Sequence, residues 1–170
     1  GGEISLSGTS HIETQGDVAV GAIITGNDGE ISLEDGSTIE TASEGSFGAL
    51  ITGDNGVITL SDTASVTTAG ANAHGTYIAG NDGIVSLNDG SSIETAVDNS
   101  FGIVITGDGG EIILTDTASV ATSGNIAFGI ANKDFVAGND HGPFQKGVFF
   151  EDQFFVFGFA IGFWVQRFVL

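Results

Sequence analysis

The sequence predicts an all-β fold: a three-sided parallel β-helix, or solenoid, of about five coils with 27 residues per coil. Three observations predict it: a strict 27-residue period, strand-and-turn sides of about nine residues, and apolar ladders that repeat in phase. Gly2, Gly29, Gly56, Gly83 and Gly110 share one register, as do Leu6, Leu33, Leu60, Leu87 and Leu114. Ile12, Ile39, Val66, Ile93 and Val120 form a third ladder, Thr14, Thr41, Thr68, Thr95 and Thr122 a fourth, and Gly21, Gly48, Gly75, Gly102 and Gly129 a fifth. A coarser 54-residue period overlies the first. Asp35-Gly36-Ser37 returns as Asp89-Gly90-Ser91, whereas Asp62-Thr63-Ala64-Ser65 returns as Asp116-Thr117-Ala118-Ser119. The repeat fades after Ala131, which divides the chain into a repeat domain over 1–131 and a Phe-rich segment over 132–170.

Within one module the elements follow in order. In the second copy, strands are expected near Ala22–Thr25, Glu30–Glu34 and Thr38–Ala42. Between them lie Gly26-Asn27-Asp28-Gly29, Asp35-Gly36-Ser37 and Ser43-Glu44-Gly45-Ser46, whose Gly, Asn and Asp tolerate positive φ and bend the chain cheaply. In Glu30-Ile31-Ser32-Leu33-Glu34 the apolar residues point one way and the polar ones the other. In Thr38-Ile39-Glu40-Thr41, Ile39 and Thr41 share the inner face. One such module cannot bury its inner residues alone. Stacking identical coils about 4.8 Å apart puts Ile on Ile and Leu on Leu, for a rod about 24 Å long. A propeller blade needs about 40–50 residues and four strands, which this period does not supply.

One strand breaks the alternation. Ile24, Ile51, Ile78 and Ile105 are expected inside, yet their neighbours Ile23, Leu50, Tyr77 and Val104 are apolar too. Either these four form an outward interaction stripe along the rod, or a local bend turns both residues of each pair inward.

Charge narrows the function classes. The chain has 22 Asp and Glu against 3 Lys and Arg. Those three, Lys133, Lys146 and Arg167, all follow the repeats. A repeat surface without cations repels phosphate backbones, which argues against nucleic acid, and it disfavours anionic membrane surfaces. With no Cys, disulfide and Cys-metal scaffolds are excluded. The start in mid-repeat, at Gly1-Gly2-Glu3-Ile4, leads us to expect a processed product or a fragment.

After Lys133 the chemistry changes. The run Phe154–Val165 is about twelve residues long, too short for a membrane-spanning helix, and its aromatic and β-branched content favours strand. Phe154, Phe155, Phe157, Phe159, Phe163 and Trp164 are the candidate cap or assembly residues. The segment is expected to cap the open end of the rod, the alternatives being docking on the outward stripe or pairing with a neighbouring subunit.

Candidate chemistry is sparse. Asp28, Asp54, Asp82 and Asp108 recur at turns, and Asp35, Asp62, Asp89 and Asp116 at another corner, so calcium is the metal to consider. These residues are also ordinary turn formers, and no cofactor is expected. His74 occupies a ladder otherwise filled by Val20, Phe47, Phe101 and Phe128, and reads as a packing substitution. His11 aligns with a polar ladder, and neither histidine has a partner fixed by spacing. Glu40 and Glu94 offer carboxylates for glycoside hydrolysis, but they are repeat positions rather than a unique pair. The same glutamates interrupt the outward Thr38, Ser65/Thr67, Ser92 and Ser119 positions that an ice-binding array would need.

The module Gly-Ala-Ile-Ile-Thr-Gly-Asn-Asp-Gly-Glu-Ile-Ser-Leu-Glu-Asp-Gly-Ser-Thr-Ile-Glu-Thr (21–41), with its copies at 48–68, 75–95 and 102–122, resembles the pertactin-like passenger repeats of bacterial autotransporters. The resemblance covers about residues 2–131. It implies a right-handed β-helix, an extracellular or cell-surface location and adhesin-like use, with no shared catalytic residues. The C-terminal segment does not look like that family's translocating barrel. The expected function is therefore a non-enzymatic structural or adhesin-like solenoid. Its partners would be other copies of itself, in an end-to-end filament, or host and cell-surface glycans and proteins. The alternative is a carbohydrate-active or calcium-binding β-helix fragment.

Overall fold

The computed structural model describes residues 1–132 and the short strand Phe149–Phe150, and every regular element within them is a β-strand. Three parallel sheets form the three sides of a solenoid of about five turns. Sheet 1 stacks β1 (Glu3–Leu6), β4 (Glu30–Leu33), β7 (Val57–Leu60), β10 (Ile84–Leu87) and β13 (Glu111–Leu114). Sheet 2 stacks β2 (His11–Thr14), β5 (Thr38–Thr41), β8 (Ser65–Thr68), β11 (Ser92–Thr95) and β14 (Ser119–Thr122). Sheet 3 stacks β3 (Val20–Ile24), β6 (Phe47–Ile51), β9 (His74–Ile78), β12 (Phe101–Ile105) and β15 (Phe128–Asn132). The predicted fold class is the observed one.

The 27-residue period becomes the register of the stack. Ile31 pairs with Ile58 and Leu33 with Leu60 in sheet 1, Ile39 with Val66 in sheet 2, and Ile51 with Ile78 in sheet 3. All of these inner side chains are fully buried, and they meet along the axis as one continuous core. Each fully buried Ile or Leu contributes about 1.5–3 kcal/mol relative to an exposed one. One inner column is costly. Thr41, Thr68 and Thr95 are buried, and their hydroxyls have no hydrogen-bond partner.

Each corner of the coil carries residues in the left-handed region, and the second corner carries two in a row in three coils: Asp35-Gly36, Asp62-Thr63 and Asp89-Gly90. Asp28, Asn55 and Asp82 (φ 53–55°) hold one corner, Asp35, Asp62, Asp89 and Asp116 (φ 50–55°) the next, and Asn72 and Asn99 (φ 57° and 56°) the third. Asn and Asp tolerate this conformation better than other side chains. The third corner has two exceptions, Val18 and Ile126, β-branched residues with φ of 56° and 57° in the first and last coils. Both are exposed.

The strands of sheet 3 differ from the expected ones, beginning at Val20 and its equivalents rather than near Ala22. The cause is the glycine column. A Cβ on Gly48 would overlap Val66 Cγ1 and stand 2.6 Å from the Gly75 carbonyl oxygen, and Gly21, Gly75 and Gly102 are crowded in the same way. Only glycine lets this strand press so closely onto the core. Ala49, the next residue, is also fully buried, so the local bend falls at Gly48-Ala49 and leaves Phe47 and Leu50 to the outside.

The last described element, β16 (Phe149–Phe150), pairs in parallel with β14, Ala121 with Phe149 and Thr122 with Phe150. It adds a sixth strand to sheet 2 at the C-terminal end of the rod.

Candidate functional site

The bend in sheet 3 brings two columns onto one outer face. The first is Val20, Phe47, His74, Phe101 and Phe128; the second is Ile23, Leu50, Tyr77, Val104 and Ala131. Their rings touch across and along the columns. Phe47 meets Tyr77 edge-on with centroids 5.4 Å apart, His74 lies 5.2 Å from both Phe47 and Phe101, and Phe101 stacks on Phe128 at 5.3 Å. Such pairs add about 0.5–1.5 kcal/mol each beyond the area they bury. Among the described residues, the other exposed large hydrophobics, Val18, Ile126 and Leu114, do not lie on this face. The aromatic column was legible in the 27-residue spacing of Phe47, Phe101 and Phe128. Sequence reasoning treated it as packing and did not join it to the stripe.

The four stripe residues are not equally open. Ile23 is 47% exposed, Leu50 and Tyr77 are half-buried, and Val104 is only 7% exposed. Three of them therefore face outward. Val104 departs from the expected exposure, although its column neighbour on the C-terminal side is the small Ala131.

His74 sits at the centre of the face. Burial among the rings pushes its pKa below the ordinary histidine value, because a charged imidazolium would be poorly solvated there. Its Nδ1 is buried and has no hydrogen-bond partner. The sequence-based reading of His74 as a member of a packing ladder agrees with its ring contacts. His11 does have a cross-coil partner, since its Nδ1 is hydrogen-bonded to Thr38 Oγ1.

The calcium candidates fall into two columns rather than one. Asp54 and Asp108 stack with Asn27 and Asn81, whereas Asp28 and Asp82 stack with Asn55. In the first column the Asp54 backbone N–H donates to Asn27 Oδ1 (3.1 Å), Asn81 N–H to Asp54 Oδ1 (2.8 Å) and Asp108 N–H to Asn81 Oδ1 (3.0 Å). In the second, Asn55 Nδ2 donates to Asp28 Oδ1 (3.0 Å). The carboxylates thus tie one coil to the next. Among the described residues no group of three or more His, Cys, Asp or Glu side chains is placed to hold a metal ion. Asp35, Asp62, Asp89 and Asp116 form an exposed column of their own at the next corner. Glu40 and Glu94 are exposed on sheet 2 with Thr67 between them, so they do not converge.

The residues named as cap or assembly candidates, Phe154, Phe155, Phe157, Phe159, Phe163 and Trp164, lie outside the described residues. Comparison with protein families, curated proteins and solved structures finds no match to the chain.

Proposed function

We propose that this chain is a non-enzymatic structural module, a rigid extracellular or cell-surface spacer whose contact surface is the outer face of sheet 3. The observation that carries the reading is the unbroken register of all three sheets. A catalytic groove needs residues that occur once and converge; among the described residues the outward carboxylates of sheets 1 and 2 recur at repeat positions, as Glu3, Glu30 and Glu111 or Glu13, Glu40 and Glu94 do. The likeness of the 21–41 module to pertactin-like passengers supplies the context of surface display, as an adhesin-like rod. Binding to glycans or proteins of a cell surface would use the aromatic and aliphatic columns, since rings give large contact area at low entropic cost. No metal or cofactor has a part in this reading.

End-to-end assembly is part of the proposal. The first-coil strands β1, β2 and β3 have a partner on one side only. Their free edge matches in register another coil of the same kind, whether in the same rod or in a second copy. Electron microscopy of the purified chain across a concentration series tests this, with melting followed in calcium and in chelator. Fibres one coil wide, with a melting temperature indifferent to chelator, are the expected result. Isolated short rods at every concentration would remove the filament from the proposal, and a melting temperature lowered by chelator would replace it with a calcium-dependent module.

A further inference from the structure

Resting on the contact surface proposed above, we infer that the outer face of sheet 3 is a docking strip for a cationic amphipathic polypeptide helix. The helix lies along the rod axis, its apolar side on the two columns and its Lys and Arg side chains on the carboxylates at either border.

The strip has the dimensions of a helix. Phe47 and Leu50 stand three positions apart on one strand, about 10 Å, close to the diameter of about 10–12 Å of a helix with its side chains. Gly48 and Ala49 between them are buried and put no side chain on the outer face. Tyr77 leans across this gap, its ring 5.4 Å from Phe47 and 5.8 Å from His74, and joins the columns into one surface. Ile23, Leu50 and Tyr77 stay at least partly open on one side, and Phe47, His74 and Phe101 on the other. Four coils at about 4.8 Å each make this strip about 19 Å long, the length of a helix of about 13 residues.

Both borders are acidic. Asp17, Glu44 and Asp98 stand at the corner before sheet 3, and Asp28, Asp54 and Asp82 at the corner after it. Their hydrogen bonds come from neutral donors, which leave the charge in place. Asn72 Nδ2 donates to Glu44 and Asn55 Nδ2 to Asp28, while the backbone N–H groups of Asn81 and Asn125 donate to Asp54 and Asp98. The described residues contain no Lys or Arg. A partner with basic flanks is attracted at both borders, whereas a nucleic acid, an anionic bilayer or a second acidic rod is repelled.

The chemistry of the strip selects a polypeptide over a glycan. A sugar brings many hydroxyls, and each one buried without a partner is costly. Of the six open side chains only His74 and Tyr77 carry polar atoms, and the His74 Nδ1 is itself buried. Ring faces are also partly taken up by neighbouring rings, Phe101 by Phe128 and Phe47 by Tyr77. An extended peptide laid across a sheet face would leave backbone N–H and C=O groups unpaired there. A helix satisfies its own, and apolar residues at i, i+3, i+4 and i+7 give it a matching stripe.

The test uses the full-length chain and two labelled synthetic peptides of about 18 residues with the same Leu and Lys composition. In one the Leu residues form a single helical stripe; in the other they are scattered around the helix. Fluorescence anisotropy gives the affinities at about 0.15 M salt. Leu50→Gln removes apolar surface from the strip, and Ile84→Gln does the same on the outer face of sheet 1. Should Leu50→Gln not fold, Ile23→Gln in the more exposed part of the same column replaces it. Glu44→Gln with Asp98→Asn removes two border charges and keeps both acceptors; Glu40→Gln with Glu94→Gln removes two from sheet 2. Circular dichroism checks the fold of each variant.

The striped peptide is expected to bind at least about tenfold tighter than the scattered one and to gain helix content. Leu50→Gln should weaken it about tenfold and the border pair about threefold or more. Ile84→Gln and the sheet 2 pair should change it by no more than about twofold. Equal binding of the two peptides, or equal losses from the border and sheet 2 pairs, would overturn the inference in favour of general attraction to an acidic rod. Binding of a neutral glucose hexasaccharide that Leu50→Gln abolishes, without binding of the striped peptide, would replace the helix with a glycan. Absence of all binding would leave the inference wrong outright. None of these results touches the spacer reading, which fails instead on the microscopy described above.

Discussion

At the scale of single residues, the inner threonines show how repetition multiplies a cost as well as a benefit. Thr41, Thr68 and Thr95 occupy the same inner position in successive coils, and each buries a hydroxyl without a partner. A buried unsatisfied hydroxyl costs about 1–3 kcal/mol. Thr68→Val keeps the branched shape and removes that group, so it is expected to stabilise the fold by about 1 kcal/mol or more in chemical denaturation. His74 makes the opposite kind of prediction. Its folded pKa lies below its unfolded value of about 6.5, so above that pH both states are neutral and its packing contributes fully. As pH falls below 6.5 the unfolded chain takes up a proton that the folded state resists, and stability is lost until the folded pKa is passed. His74→Phe extends the ring stack and removes this dependence. The stability difference between His74→Phe and the parent should therefore widen between pH 7 and pH 5, and a difference constant with pH would contradict the assignment.

At the scale of the sheet and its corner columns, the 54-residue period acquires a physical meaning. Successive coils alternate partners in the same column: Asn27, Asp54, Asn81 and Asp108 at one position, and Asp28, Asn55 and Asp82 beside it. A Cβ at Gly36 would meet the Thr63 hydroxyl at an ordinary 3.5 Å, whereas one at Gly90 would press on the Thr117 hydroxyl at 3.1 Å. Alternation keeps carboxylates off one another and fits small residues against large ones. Asn81→Asp preserves the acceptor that Asp108 N–H uses but sets three carboxylates in a row. At about 4.8 Å each new pair repels by roughly 1 kcal/mol in water, so the variant should lose about 1–2 kcal/mol at low salt and recover most of it when salt is added. The exposed column of Asp35, Asp62, Asp89 and Asp116 does not alternate, and nothing in the structure explains why.

The same columns show where the sequence was legible. Ladders of Ile and Leu fixed the sheets and their register because burial of like on like leaves no other solution at this period. The start of the sheet 3 strands was missed because it depends on how closely Gly48 approaches Val66, a contact between different sides of the coil. The exposure of Val104 was misjudged for a related reason: alternation says which way a side chain points and nothing about what lies over it. Val18 and Ile126 in left-handed corners were equally invisible, since they sit where the other coils place Gly or Asn. The apolar face of sheet 3 was half legible, its stripe read from Ile23, Leu50 and Tyr77 while the aromatic column beside it was assigned to packing.

At the scale of the whole molecule, the rod is a one-dimensional object. Each coil contacts only its neighbours, so stability is approximately a sum of coil and interface contributions. The repeats also carry acids with no compensating cation, which opposes compaction at low ionic strength. The central claim is that length is additive in coils of 27 residues. It is tested most directly by duplicating residues 56–109 in frame, a two-coil unit, and measuring the maximum dimension of the folded chain by small-angle scattering. The account predicts a particle about 10 Å longer with an unchanged cross-section, from two coils spaced about 4.8 Å apart. A particle that instead grows in all directions, or an inserted unit that stays unfolded beside a rod of the original length, would contradict it.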